Sequence, residues 1–147
     1  MEVLTPENSK GKRSKPVASS PVERGDNVPH EHNASLEDFV QFRARLNVEI
    51  LNEGNLVINR FFALDTRTYE AGTLDVRTKE LLGLVASLVL RCDDCVTYHL
   101  TRCAEERVTR SEIFECLSVG LVVGGSIVIP HLRRAVDRWS ELERLAN

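Results

Sequence analysis

The chain has 147 residues and a formal net charge of -3, with 19 Lys and Arg against 22 Asp and Glu, 42% hydrophobic residues and four cysteines. That length holds one domain with a sizeable core and leaves little for a second. The lack of a cationic surplus excludes nucleic acid as an expected partner. The longest apolar run, residues 117–130, is interrupted by Ser118, Gly120, Gly124, Gly125 and Ser126 and falls short of the roughly 20 residues that span a bilayer, so no membrane segment is expected.

Residues 1–34 contain four of the five prolines and no apolar periodicity, and the basic residues Lys10, Lys12, Arg13, Lys15 and Arg24 are matched in number by Glu2, Glu7, Glu23, Asp26 and Glu31. Such text cannot offset the entropy lost on ordering, and a flexible, disordered extension is expected, followed by a helical domain over residues 35–147. Between Met1 and Pro16 only Val3 and Leu4 are large aliphatics, too few for a secretory leader, and a cytoplasmic location is expected.

From Ser35 the pattern becomes helical. Ser35 with Asp38 three residues on forms a capping signal, and Leu36, Phe39, Val40, Arg43, Leu46 and Ile50 follow one stripe to about Asn52. Gly54-Asn55 breaks the helix. A second amphipathic segment spans Leu56 to Tyr69, with Val57, Phe61 and Leu64 on one side, and Gly72 marks the next break. Asp75 caps a third helix, whose almost wholly apolar text from Leu81 to Leu90 predicts burial on all sides before Arg91 closes it. Asp93 and Asp94 supply the acidic first turn of a fourth helix running past His99 to about Arg107. Thr109 and Glu112 form a capping box for a fifth, which ends at Gly124-Gly125. The last helix spans Ile127 to Leu145, with Pro130 in its opening turns. No strand pattern and no internal repeat is visible. The fold expected is all-α, a compact bundle of about six helices.

Two of the four cysteines stand in Arg91-Cys92-Asp93-Asp94-Cys95-Val96-Thr97-Tyr98-His99, a Cys-x-x-Cys followed four residues later by His. In a reducing compartment such a pair points to catalysis or metal binding more than to a structural disulfide framework. On a helix Cys95 and His99 lie one turn apart on the same face, where an imidazole can serve as base for the thiol. Cys92, three residues before Cys95, is close enough to become its disulfide partner. A helix N-terminus and a His both lower a cysteine pKa from its ordinary value of about 8.5. With these parts a peroxide can be reduced by thiolate attack, formation of a sulfenic acid and condensation with the second thiol. No metal or organic cofactor is required. An external dithiol is needed to restore the pair.

Lys79-Glu80-Leu81-Leu82, then Arg91-Cys92-x-x-Cys95-x-x-x-His99, then Gly124-Gly125 before the last helix, resemble the alkylhydroperoxidase D-like and carboxymuconolactone decarboxylase superfamily over about residues 36–145. The resemblance implies an all-helical bundle assembled as a homo-oligomer, a trimer or hexamer. It also implies a thiol peroxidase in which Cys95 attacks an organic hydroperoxide, Cys92 resolves, and His99 and Glu80 relay protons. Its implied reductant is a dithiol, often a dihydrolipoyl adaptor protein. Glu80 lies 12 residues before Cys92, about 18 Å along an uninterrupted helix, so it joins the site only if the chain reverses near Arg91. Asp94 departs from the family's familiar peroxidases, which carry a further His there. A carboxylate at that position opposes thiolate formation.

Other readings remain beside this one. The enzyme alternatives are a general disulfide oxidoreductase and a decarboxylase-like activity on a small ring lactone. The non-enzymatic alternative is a metal-binding helical oligomer, with zinc on Cys92, Cys95, His99 and Cys103. Those four positions extend over about 16 Å of one helix, whereas tetrahedral zinc needs every donor within about 2.3 Å. Cys103 and Cys116 are expected as buried small apolar side chains, His131 as structural, and Asp94 and Tyr98 as helix surface. The apolar text of 80–91 and 117–129 exceeds what a core of this size covers, which again predicts assembly.

Overall fold

The computed structural model describes residues 35–146, and the expected N-terminal extension lies outside the described residues. Six helices follow one another: α1 Leu36–Asn52, α2 Leu56–Tyr69, α3 Val76–Val89, α4 Asp93–Glu105, α5 Arg110–Gly124 and α6 Ile129–Ala146. The described residues contain no strand.

The starts are set by side-chain caps. Ser35 and Asp38 close a capping box on α1, Asn55 accepts from two backbone N–H groups of α2, Asp75 caps α3, and Thr109 and Glu112 form the second capping box on α5. Two ends differ from expectation. α4 stops at Glu105 rather than near Arg107, and a 3₁₀ turn at Ser126–Val128 delays α6 to Ile129. That turn follows Gly125, whose φ of 73° ends α5 in a conformation that glycine adopts at little steric cost.

The core lies between α3, α4, α5 and α6. Leu84 and Leu88 of α3, Val96, Leu100 and Cys103 of α4, Ile113 and Leu117 of α5, and Ala135 and Trp139 of α6 form one buried cluster with Val108 and Val128. α1 is tied to α6 where the Leu36 N–H donates to Glu141 Oε1 at 2.8 Å. The Lys79 ammonium closes the end of α2 by donating to the carbonyls of Thr68 and Glu70.

The expectation that α3 is buried on every side is corrected. Leu84 and Leu88 are fully enclosed, but Leu82, Ala86 and Leu90 are exposed. Successive steps of four residues place these three along one stripe of the helix. α5 is divided in the same way, with Ile113, Leu117 and Gly120 inside and Val119, Val122 and Val123 outside.

Candidate active site

The site depends on a reversal between α3 and α4. Arg91 adopts φ 60°, the Arg91 N–H donates to the Leu88 carbonyl and the Cys92 N–H to the Ser87 carbonyl, both at 3.0 Å. This paired pattern is the Schellman closure, which glycine usually makes. An arginine there carries a steric cost of about 1 kcal/mol or more. Arg107 ends α4 identically, with φ 58° and a Val108 N–H to Cys103 carbonyl bond.

The reversal makes Cys92 the N-cap of α4, its Sγ accepting from the Cys95 N–H at 3.3 Å. Cys92 and Cys95 are joined as a disulfide with Cα atoms 5.3 Å apart, a separation ordinary for such a bond. Cys95 is exposed and Cys92 half-buried, so the pair is open to reagents from outside.

Folding α4 back along α3 carries Glu80 to the face of α4 that bears His99. Glu80 is 1% exposed, and its Oε2 lies 2.8 Å from His99 Nδ1. A buried carboxylate accepts from Nδ1–H, so this bond fixes the tautomer and leaves Nε2 with the free lone pair. Arg102, one turn past His99, donates from Nε to Glu80 Oε1 at 3.4 Å and also pairs with Glu105. Burial works against the Arg102 charge, yet the Glu105 and Glu80 carboxylates outweigh it and hold the guanidinium above its usual value.

Three further side chains shape this centre. Tyr69 of α2 and Tyr98 of α4 each place a ring centroid 5.3 Å from that of His99, and the Arg43 guanidinium of α1 sits 3.9 Å above the Tyr98 ring. Burial, reinforced by the Glu80 charge, pushes both phenols above their ordinary value, so they stay protonated donors. The expectation that Tyr98 is mere helix surface is thereby corrected: it is half-buried against the imidazole. Tyr69, Tyr98, Glu80 and Arg102, with Asp65, Thr66, Glu70 and Val76, line an open cleft of about 510 Å³ on which neither Cys92 nor Cys95 borders.

Gly83 supplies the space for His99. A Cβ there would stand 2.7 Å from Nε2 and 2.8 Å from Nδ1, closer than side-chain atoms approach one another. The sequence carries a signal for this, because glycine inside an apolar helix costs about 1 kcal/mol against alanine and marks a close approach. Arg102 was legible too, as it continues the Cys95–His99 stripe at seven residues from Cys95. Tyr69 had no local signal.

The remaining candidates separate cleanly. Cys103 is enclosed in the core and burial pushes its thiol up to about 12; burial likewise pushes Cys116, whose Sγ–H donates to the Leu81 carbonyl at 3.2 Å, to about 11. Neither is a nucleophile near neutrality. Asp94 is exposed. His131 Nδ1 lies 2.8 Å from Asp93 Oδ1, joining the start of α6 to the start of α4. Among the described residues no group of three or more His, Cys, Asp or Glu side chains converges as a metal site, and Cys103 of the zinc reading points into the core instead.

The carboxymuconolactone decarboxylase family profile matches residues 56–138, more than half of the chain, and the protein belongs to that family. A protein of Thermotoga maritima of known structure is 57% identical, with a TM-score of 0.73 over 75% of this chain and 96% of its own. It is described as a carboxymuconolactone decarboxylase family protein with a suggested part in the antioxidative response. A family member from Legionella pneumophila, 20% identical, shares the fold with a TM-score of 0.67 over 73% of this chain and 96% of its own. An uncharacterized protein of Cupriavidus necator is 33% identical over 54 residues, 37% of this chain and 48% of that protein, so the match spans about half of the relative's length.

Proposed function

We propose that the protein is a thiol-dependent peroxidase that reduces organic hydroperoxides through Cys95 and Cys92, with His99 and Glu80 as the proton relay. The observation that carries this reading is the buried Glu80–His99 hydrogen bond of 2.8 Å, which leaves Nε2 as a base one helical turn beyond Cys95, itself paired with Cys92. In the reaction His99 takes the Cys95 thiol proton, and the thiolate attacks one peroxide oxygen as the O–O bond breaks. The alkoxide recovers that proton and leaves as the alcohol, while Cys95 becomes a sulfenic acid. The Cys92 thiol then displaces hydroxide from Cys95, releasing water and forming the disulfide. A dithiol reductant, such as a dihydrolipoyl adaptor, exchanges with the disulfide and is oxidised in turn. The Thermotoga relative's suggested antioxidative part supports this direction.

The exposed stripes Leu82, Ala86 and Leu90 on α3 and Val119, Val122 and Val123 on α5 support assembly as a homo-oligomer, a trimer or hexamer, in which a second copy covers them. No helix of the described residues is long and apolar enough to cross a membrane.

The deciding assay is steady-state consumption of cumene hydroperoxide with dihydrolipoamide as donor. Cys95→Ser should fall to the uncatalysed rate, and Cys92→Ser should complete one turnover and stop. Undiminished turnover in Cys95→Ser would refute the reading.

A further inference from the structure

A second polar cluster joins the first turn of α4 to α6. Asp93 is the first residue of α4 and adjoins Cys92 in sequence. Its Oδ1 is 2.8 Å from His131 Nδ1 and its Oδ2 is 3.2 Å from Arg134 Nη1, so each carboxylate oxygen has its own partner. Arg134 Nη1 also comes within 3.3 Å of His131 Nδ1, which sets two donors side by side facing one acceptor. The Asp93 side chain is 30% exposed, that of His131 19% and that of Arg134 42%, so solvent screens the Asp93–His131 contact less than the Asp93–Arg134 pair. Asp94 is exposed and stays in water.

Resting on the reading of Cys92–Cys95 as a redox pair, we infer that His131 and Arg134 are positioning residues: by clamping the Asp93 carboxylate they set how readily the pair ionises. The physical ground is charge. An aspartate at the start of a helix occupies the same favourable field that stabilises a thiolate there, and an uncompensated carboxylate beside a thiol disfavours its ionisation. The α6 donors draw the charge of Asp93 onto themselves and leave the N-terminus of α4 to the sulfurs. The charged and titratable groups of the turn and first helical turns, with the groups paired to them, include Arg91, Asp93, Asp94 and His99, Glu80 on α3, and His131 and Arg134 on α6. Of the two acids in this turn, the clamp holds the one next to Cys92.

The test is the pH dependence of alkylation at Cys92 and Cys95 in the fully reduced protein, resolved by peptide mass spectrometry with iodoacetamide as probe. Arg134→Gln and His131→Ala should move the midpoint to higher pH and slow alkylation at neutrality by about threefold to tenfold, the effect of an unpaired neighbouring charge. Arg134→Lys, which keeps the charge, should stay near the wild-type profile. In an Asp93→Asn background, Arg134→Gln should have no further effect, because the charge it compensates is gone. An unchanged midpoint in both single variants would overturn the inference. So would an Arg134→Gln shift that persists undiminished beside Asp93→Asn, since that would mark a structural disturbance. No peroxide enters these measurements, so their failure leaves the peroxidase reading standing, and an inactive peroxide assay leaves the clamp standing.

Discussion

The α3–α6 core and the α1–α2 pair both carry apolar stripes, yet these end in opposite situations. In α3–α6 the stripes meet one another: Leu84, Leu88, Leu100, Ile113 and Leu117 are almost wholly enclosed. In α1 only Leu36 is buried and in α2 no residue is, and Val57 is 76% exposed, Phe61 66% and Leu64 63%. A period of 3.6 thus identifies a helix with an apolar face, and leaves open whether its own chain or another one covers that face. The pair of helices still contributes to the site, through Tyr69 beside His99 and Arg43 over Tyr98.

Core and outer helices differ first in what their apolar residues contribute to stability. Leu88→Ala should cost about 3 kcal/mol in denaturant unfolding, as large-to-small changes in a packed core do. Phe61→Asp should leave helicity by circular dichroism intact, since Phe61 is exposed in this chain, and under the proposed assembly it should shift sedimentation to smaller species. Equal destabilisation by the two changes would erase the distinction. Glu80→Gln keeps the shape of the buried pair and removes its charge. It should lower kcat for hydroperoxide by about a hundredfold, the scale of a disabled proton relay. Gly83→Ala gains about 1 kcal/mol of helix propensity yet forces the imidazole aside, and a net loss of about 1 kcal/mol with a lower kcat is expected.

The smallest effect lies at acid pH. Arg77, followed by the Thr109 backbone N–H and hydroxyl, holds the Glu112 carboxyl down to about 2 from 4.5. A carboxyl lowered on folding contributes stability that is present above its unfolded pKa and is lost as pH falls toward 2. Thermal melts should therefore show Glu112→Gln losing less stability than wild type between pH 4.5 and pH 2. Parallel curves would contradict the assignment.

How much of this was legible depends on the range of the interactions. Helix starts were readable because Ser35, Asn55, Asp75 and Thr109 act within three residues of their own position. The ends at Arg91 and Arg107 were harder, since the left-handed residue is not the glycine that usually announces it. The spacing of Cys92, Cys95 and His99 is likewise local. Glu80 needed the reversal at Arg91, and its 2.8 Å contact with His99 realises that condition across 19 residues. Tyr69 at His99, and His131 at Asp93, depend on how separate helices pack, which periodicity does not encode.

In the proposed reaction a sulfur served by the Glu80-held imidazole attacks peroxide and is then captured by its neighbour. This reaction is tested most directly by mixing the fully reduced protein with one equivalent of cumene hydroperoxide, without donor, and mapping the products. Loss of one peroxide and two thiols per chain is expected, with a Cys92–Cys95 disulfide and with Cys103 and Cys116 still free. Unconsumed peroxide with four thiols intact, or oxidation that falls equally on all four cysteines, would contradict it.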